Sequence, residues 1–271
     1  MQPSGIVTLT TDFGSSDSYV GIMKGVILGV NRAAQMVDIT HEIRPQNIQQ
    51  TAYMVQTFYR FFPQGTVHVI VVDPGVGSER QAIALQTPEA TFVAPDNGVL
   101  TYAYREALAR WGAEQVRVHA LTEPRFWLPD VSRTFHGRDV FAPVAAHLSR
   151  GVGVEQLGPQ LAGLHEAQLD EPSVDWRGAL VGQIIHVDHF GNYITNICPQ
   201  HIAQSGLGQK FAIEILDERI TKICDTYAEG EVGVLIALFG SSGRLELSVR
   251  NGSAAHLLGV GVGDNVKVWP A

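Results

Sequence analysis

Apolar positions along the first 150 residues alternate between two periods. Short β-rich runs recur at 5–11 (GIVTLTT), 35–39 (QMVDI), 66–72 (TVHVIVV), 81–85 (QAIAL) and 91–95 (TFVAP), several of them nearly all apolar, as strands buried on both faces are. Between them Val20, Met23, Ile27 and Val30 share one helical face, as do Ile48, Ala52, Val55 and Tyr59. This alternation predicts an α/β layered domain with a mostly parallel sheet. From Trp176 onward the pattern changes. ALVGQIIHV, FAIEIL, RITKIC, VGVLIALF, RLELSV and VKVW are strand-like runs separated by turn residues, with almost no helical periodicity, and they predict a small antiparallel barrel or sandwich. FAIEIL and RITKIC read as a hairpin turning over Asp217-Glu218, although Asp-Glu is not a favoured two-residue turn. The polar, Pro-containing stretch 164–178 divides the two patterns. The expected layout is an α/β domain over 1–165, a linker over 166–175 and an all-β barrel domain over 176–271.

Composition narrows the classes. The chain has 271 residues, 45% of them apolar and 17% charged, ordinary values for a globular protein with a substantial core. The start MQPSGIVTLTTDFG has no charged segment followed by a long apolar one, and no window approaches a membrane span, so a cytoplasmic protein is expected. Cys198 and Cys224 are too few and too far apart for a disulfide framework or a cysteine zinc site. A net charge of −8 without a Lys/Arg cluster argues against nucleic acid and suits a neutral or cationic small molecule.

Candidate chemistry sits where strand patterns end. In TLTTDFGSSDSYVG, Asp12 stands where an α/β sheet holds its ligand, and its two carboxylate oxygens suit a ribose diol; Ser15, Ser16 or Asp17 would cap the following helix or face the ligand. VVDPGVGSER places Asp73 at a strand end and Arg80 beyond a Gly-rich turn. The pair is either a reactive carboxylate oriented by a guanidinium or a surface ion pair worth ~0.5 kcal/mol. TFHGRDVFAP offers His136, a candidate general acid or base if it joins Asp73 and Arg80, ahead of a helix starting at Arg138. In APDNGVL, Asn97 lines the same pocket or caps the next helix. HVDHFGNYITNI concentrates His186, Asp188, His189, Phe190 and Asn192. In a strand, residues 186 and 188 point opposite to 189, which disfavours a shared metal; Asp188 for an ammonium, Phe190 for stacking and Asn192 for an amide edge better suit a zwitterionic, base-containing ligand.

Taken in order, TDFGSSDSYVG, VVDPGVGSER, APDNGVL, FHGRDVFAP, DHFGNYITNI and GSSGRLELSVRNGSAA resemble the S-adenosyl-L-methionine hydrolases (adenosine-forming), or SAM hydroxide adenosyltransferases, from residue 6 to the C-terminus. The resemblance implies the two-domain layout, a trimer, a ligand held between the N-terminal domain of one subunit and the C-terminal domain of its neighbour, and no cofactor or metal. It further implies that Asp12 binds the ribose hydroxyls and that Asp188, with the Asp17 to Tyr19 region, takes the methionine ammonium. Phe190, Asn192, Ser241, Asn251 and Gly252 would contact adenine, and Asn97 and Phe135 would line the site. Asp73, Arg80 and His136 would position and activate water. The halogenating relatives, fluorinase and chlorinase, place a Tyr, a Thr and a Ser where this chain has Asp73, Val76 and Gly137, so the halide pocket is missing. The expected reaction is hydrolysis of S-adenosyl-L-methionine to adenosine and L-methionine. A chlorinase-like halogenase, a non-catalytic adenosine or S-adenosylmethionine binder and, more distantly, a metal phosphohydrolase are the alternatives.

Overall fold

The computed structural model describes residues 1–208 and 210–270. Contacts divide the chain into two compact units, Met1–Gln168 and Leu169–Ala271. In the first, strands β1 (Ile6–Thr11), β2 (Gln35–Thr40), β3 (Thr66–Val71), β4 (Ala82–Gln86), β5 (Ala90–Pro95), β6 (Arg117–Ala120) and β7 (Gln160–Leu161) form one sheet in the order β2-β1-β3-β5-β4-β6-β7. The β2-β1-β3-β5 half is parallel. The β5-β4-β6-β7 half is antiparallel. The sheet is therefore mixed rather than mostly parallel. Three residues join β4 to β5, far too few for the crossover that parallel pairing needs.

Helices cover both faces. β3 shows why its sequence is apolar throughout: Val67, Val69 and Val71 join a core with Met23 and Ile27 of α1 (Tyr19–Val30) and Val144 of α4 (Ala142–Ser149). Ile70 and the adjoining Val72 face the other way, into a core with Val55 of α2 (Ile48–Phe58) and Ala103 of α3 (Thr101–Trp111). Ser15, Ser16 and Asp17 do not cap α1. Its N-cap is Ser18, which makes no side-chain cap bond, while Ser15 donates to Glu42. The helix expected from Arg138 begins as a wide π-helical turn, Gly137–Phe141, and becomes regular only at Ala142. Pro143, lacking an N–H, sits at that junction and spares the ladder a donor that the wider turn would misplace.

The second unit carries β8 (Ser173–Val174), β9 (Leu180–Val187), β10 (Tyr193–Thr195), β11 (Phe211–Ile215), β12 (Glu218–Ile220), β13 (Ile223–Cys224), β14 (Leu235–Phe239), β15 (Leu245–Val249) and β16 (Asn265–Pro270). They form a nine-stranded sheet ordered β12-β11-β16-β9-β10-β15-β14-β13, with β8 beside β9. The outermost strands β12 and β13 follow one another in the chain with two residues between them, so the sheet is nearly closed and barrel-like. Its core includes Leu180, Ile184, Tyr193, Ile213, Leu247 and Val268. The hairpin turns over Leu216-Asp217, one residue earlier than expected, with Leu216 in the left-handed region at φ 52°. Among the described residues, no helix is long and apolar enough to cross a membrane. The stretch read as a linker is tied at each end: the Ala167 amide donates to Thr101 Oγ1, and Asn196 donates to the Asp170 carbonyl.

His68, on β3, is fully buried against the rings of Phe58, Phe62 and Phe92, with Nδ1 2.8 Å from Thr8 Oγ1. Burial pushes its pKa down to about 3. The unfolded chain then binds a proton below about pH 6.5 that the folded chain refuses. Stability is complete above that pH and is lost as pH falls towards the folded value. Between pH 7.5 and pH 5 urea unfolding should register a loss of ~2 kcal/mol from this residue, and His68→Leu should flatten that part of the profile.

Candidate functional site

Asp12 and Asp73 follow the carboxyl ends of β1 and β3, which are adjacent and parallel. From β1 the chain crosses to β2 on one side and then to β3 on the other, so these two ends flank a topological switch point, where open α/β sheets bind ligands. A cleft of about 700 Å³ lies there, lined by Asp12, Phe13, Tyr19, Gln46, Asp73, Val76, Phe135, His136, Gly137 and Arg138 among others. The Phe13, Tyr19 and Phe135 rings pack edge to face or tilted, with centroids 5.3–5.8 Å apart. Asp12 accepts from the Gln46 amide at 2.8 Å through Oδ2, which orients the carboxylate at the cleft wall. Gln46 itself adopts φ 65°, a strained conformation for a non-glycine residue.

The Asp73–Arg80 pair is not a surface ion pair, since the side chains are 5% and 10% exposed. Arg80 Nε donates to both Asp73 oxygens at 2.9 and 3.0 Å, and Nη2 donates to Asp73 Oδ2 as well. The same Nη2 lies 3.0 Å from His136 Nδ1. Guanidinium groups only donate, so Nδ1 must accept, and the neutral ring carries its proton on Nε2. Burial, followed by the Arg80 charge, holds the His136 pKa below its ordinary value, consistent with that neutral form. Arg80 also lies 5.3 Å over the Phe141 ring. Gly77, at φ 77°, lets the Asp73–Arg80 turn pass against a second loop: a Cβ there would collide with the Arg133 carbonyl oxygen.

Three expected site residues lie outside the lining of this cleft: Arg80, which bonds two residues that do line it, Asp17 and Asn97. Asp17 is exposed. Asn97 donates from Nδ2 to the Val72 carbonyl at 3.0 Å and accepts from the Val99 amide, so its amide ties the β5–α3 turn to the end of β3.

The second unit has its own cleft, about 710 Å³, lined by Asp188, Phe190, Asn192, Tyr227, Arg250, Asn251 and Gly252 among others. β9 stops at Val187, so the strand geometry expected for residues 186 to 189 does not hold there. Asp188 ends the strand by turning the chain. Its Oδ1 accepts from the Phe190 and Asn192 amides at 2.9 Å, and its Oδ2 accepts from Asn192 Nδ2 at 2.8 Å. That turn leaves the Phe190 ring 73% exposed in the cleft. Asn251 takes φ 55°. Ser241 is exposed in the β14–β15 turn and does not line the cleft. Among the described residues no group of three or more His, Cys, Asp or Glu side chains is placed to hold a metal ion.

Sequence reasoning missed Tyr227 and Gln46, which carry no motif signal, and it also passed over Asp139. The Asp139 side chain is fully buried, paired with Arg138 at 2.6 Å, and accepts from the Ser132 amide at 2.8 Å. Burial raises its pKa, but these hydrogen bonds outweigh that and hold it below the usual carboxylate value. Asp139 thereby anchors the loop that presents Phe135 and His136. Its place beside His136 in FHGRDVFAP was the available signal. Asp139→Ala should cost about 2 kcal/mol in urea unfolding through the lost charged hydrogen bonds, and the His136 ring signals should broaden in NMR spectra as the loop loosens.

Comparison with known proteins extends these observations over the whole chain. Residues 7–158 match the SAM hydroxide adenosyltransferase N-terminal domain, and residues 182–267 match the corresponding C-terminal domain. The chain is 35% identical over 271 residues to an (R)-S-adenosyl-L-methionine hydrolase of Salinispora tropica, covering 99% of both chains. It is 36% identical to the protein of that name from Methanocaldococcus jannaschii, covering 97% of this chain and 95% of the relative. Proteins named fluorinase are more distant, at 24–26% identity. The crystal structure of an uncharacterized conserved protein from Thermotoga maritima superposes with a TM-score of 0.86 at 33% identity, covering 97% of this chain and 99% of that one. The chain belongs to the SAM hydroxide adenosyltransferase family.

Proposed function

We propose that the protein hydrolyses S-adenosyl-L-methionine to adenosine and L-methionine by attack of water on the ribose C5′. The observation that carries this reading is the Asp73–Arg80–His136 set, of which Asp73 and His136 line one cleft with Asp12 while Arg80 bonds them both. Asp12 presents a carboxylate to the ribose diol, and the Phe13, Tyr19 and Phe135 rings give the cleft an apolar wall. The attacking oxygen forms a bond to C5′ as the C5′–S bond breaks, its electron pair going to sulfur. A sulfonium and a hydroxide-like nucleophile neutralise one another in that step, so a desolvated cleft favours it. Arg80 supplies the positive charge that eases deprotonation of water. Of the three, Asp73 is the group we assign as proton acceptor. His136 lines the cleft as a neutral ring, with Nδ1 engaged by Arg80 and a hydrogen bond to the Ser132 backbone.

Gly137 speaks against the halogenase reading. A Cβ at this position would lie 3.2 Å from Phe135 Cε2 and 3.3 Å from Met23 Sδ, so the serine of the halogenating relatives would require those side chains to give by a few tenths of an ångström. We assign the substrate as the (R) sulfonium epimer, following the names of the relatives. Displacement at C5′ erases the sulfonium centre and both epimers yield identical products, so the preference must lie in how the substrate is held. The Asp188–Phe190–Asn192 turn suits adenine and the methionine ammonium. We infer a homotrimer in which that cleft of one subunit completes the hydrolytic cleft of its neighbour.

In oxygen-18 water the label should enter the adenosine 5′-hydroxyl, and adenosine formed without label would exclude attack at C5′. Asp73→Asn should lower kcat by ~100-fold while KM changes little. Chloride should give no 5′-chloro-5′-deoxyadenosine, chelators should leave turnover intact, and the (R) epimer should be consumed before the (S). Light scattering should report three times the 29.4 kDa chain mass; a monomer that turns over normally would discard the shared site.

A further inference from the structure

The loop that carries Asp73 and Arg80 joins β3 to β4, yet these strands are not neighbours: β5 lies between them in the sheet. Residues 72–81 therefore arch across the carboxyl end of β5, with one foot on each side. At that same end β5 runs on into the turn 96–100, which leads to α3.

Each foot of the arch is bonded to this turn. The β1–β3 ladder stops at Val71 and the β3–β5 ladder at Val69, so Val72 has left both. Asn97 Nδ2 donates to the Val72 carbonyl at 3.0 Å, and Val72 is fully buried, so that carbonyl has no water to turn to. On the other side the β4–β5 ladder ends at the Ala82–Pro95 pair, and the Asp96 amide donates to the Gln81 carbonyl at 2.8 Å. The two bonds fall on the residue before Asp73 and on the residue after Arg80.

The turn is braced in its own right. Asp96 Oδ1 accepts from the His165 amide at 2.7 Å. Thr101 Oγ1 accepts from the Ala167 amide at 2.9 Å and donates to the Gly98 carbonyl at 2.7 Å. Gly98, at φ 100°, lets Ala167 lie where a Cβ would otherwise stand.

We propose that Asn97 is a positioning residue for the hydrolytic site: with the Asp96 amide it staples the base of the Asp73–Arg80 loop and so sets where the Asp73 carboxylate stands in the cleft. Its catalytic consequence rests on the hydrolase reading above. Asn97 lies outside the cleft lining and acts through Val72, one peptide bond from Asp73, without touching substrate. Loss of its donor leaves a buried acceptor unmet, and the foot of the loop shifts to relieve it. A reaction that depends on near-attack geometry is sensitive to displacements of about 1 Å.

Two readouts test this. Asn97→Asp keeps an acceptor for the Val99 amide but cannot donate to Val72. It should lower kcat about tenfold with KM within twofold, and hydrogen–deuterium exchange of the 72–81 amides should quicken about tenfold. Asn97→Ser, too short to reach Val72, should reproduce both changes and serves in its place if the added charge unfolds the protein. Thr87→Val, at the opposite end of the β4–β5 pair, removes bonds to the Glu89 and Ala90 amides and should leave both readouts at wild-type values. Unchanged exchange at 72–81 in the Asn97 variants overturns the staple whether or not the protein hydrolyses S-adenosylmethionine. Normal kcat in those variants, or an equal loss in Thr87→Val, overturns the positioning role. Wild-type protein that forms no adenosine overturns the hydrolase reading, and the catalytic consequence with it.

Discussion

A guanidinium has hydrogens to give and no lone pair to accept with, and the candidate site depends on that one-sidedness at Arg80. Both oxygens of Asp73 and the Nδ1 of His136 are acceptors gathered around it. Their arrangement fixes three things together: the rotamer of the carboxylate, the tautomer of the imidazole and the path of the intervening turn. A buried ion pair of this kind is poor evidence for stability, because desolvation consumes most of the Coulomb gain. What it provides is direction: groups that would rotate freely in water are held in one arrangement around the guanidinium.

That direction requires a rigid frame, and the frame comes from two loops pressed together. Gly77 brings the turn after β3 against the Arg133 carbonyl, and Asp139 clasps the second loop from below through Ser132 and Arg138. The wide turn at Gly137–Phe141 then starts α4 with Asp139 pointing inward and Phe141 under Arg80. Irregular backbone thus occurs where Asp73, Arg80 and His136 meet, while β1 and β3 remain regular.

Much of this was legible in the chain. Periodicity located the strands and the switch from α/β to all-β architecture, because buried strands have few alternatives to continuous apolar runs. The mixed character of the sheet was less visible: strand runs carry no mark of direction, and only the short β4–β5 connection decides it. Asp73 and Arg80 were readable as a pair because a Gly-rich turn of six residues between them leaves them few other partners. Whether the pair was buried was not readable, since that depends on Phe141 and His136, some sixty residues away. Ser15, Ser16 and Asp17 all have cap-forming side chains, yet tertiary contacts to Glu42 and to solvent prevailed over local preference. Tyr227 escaped notice because an aromatic beside an irregular turn has no sequence signature.

Gly77 carries a further implication for how this scaffold changes chemistry. The glycine governs where the turn runs, whereas Asp73 and Val76, on the same turn, line the cleft. Shape and reactivity are thus encoded by different letters of one short segment. On the hydrolase reading proposed above, a change of nucleophile calls for new side chains at 73, 76 and 137 rather than a new course for the turn.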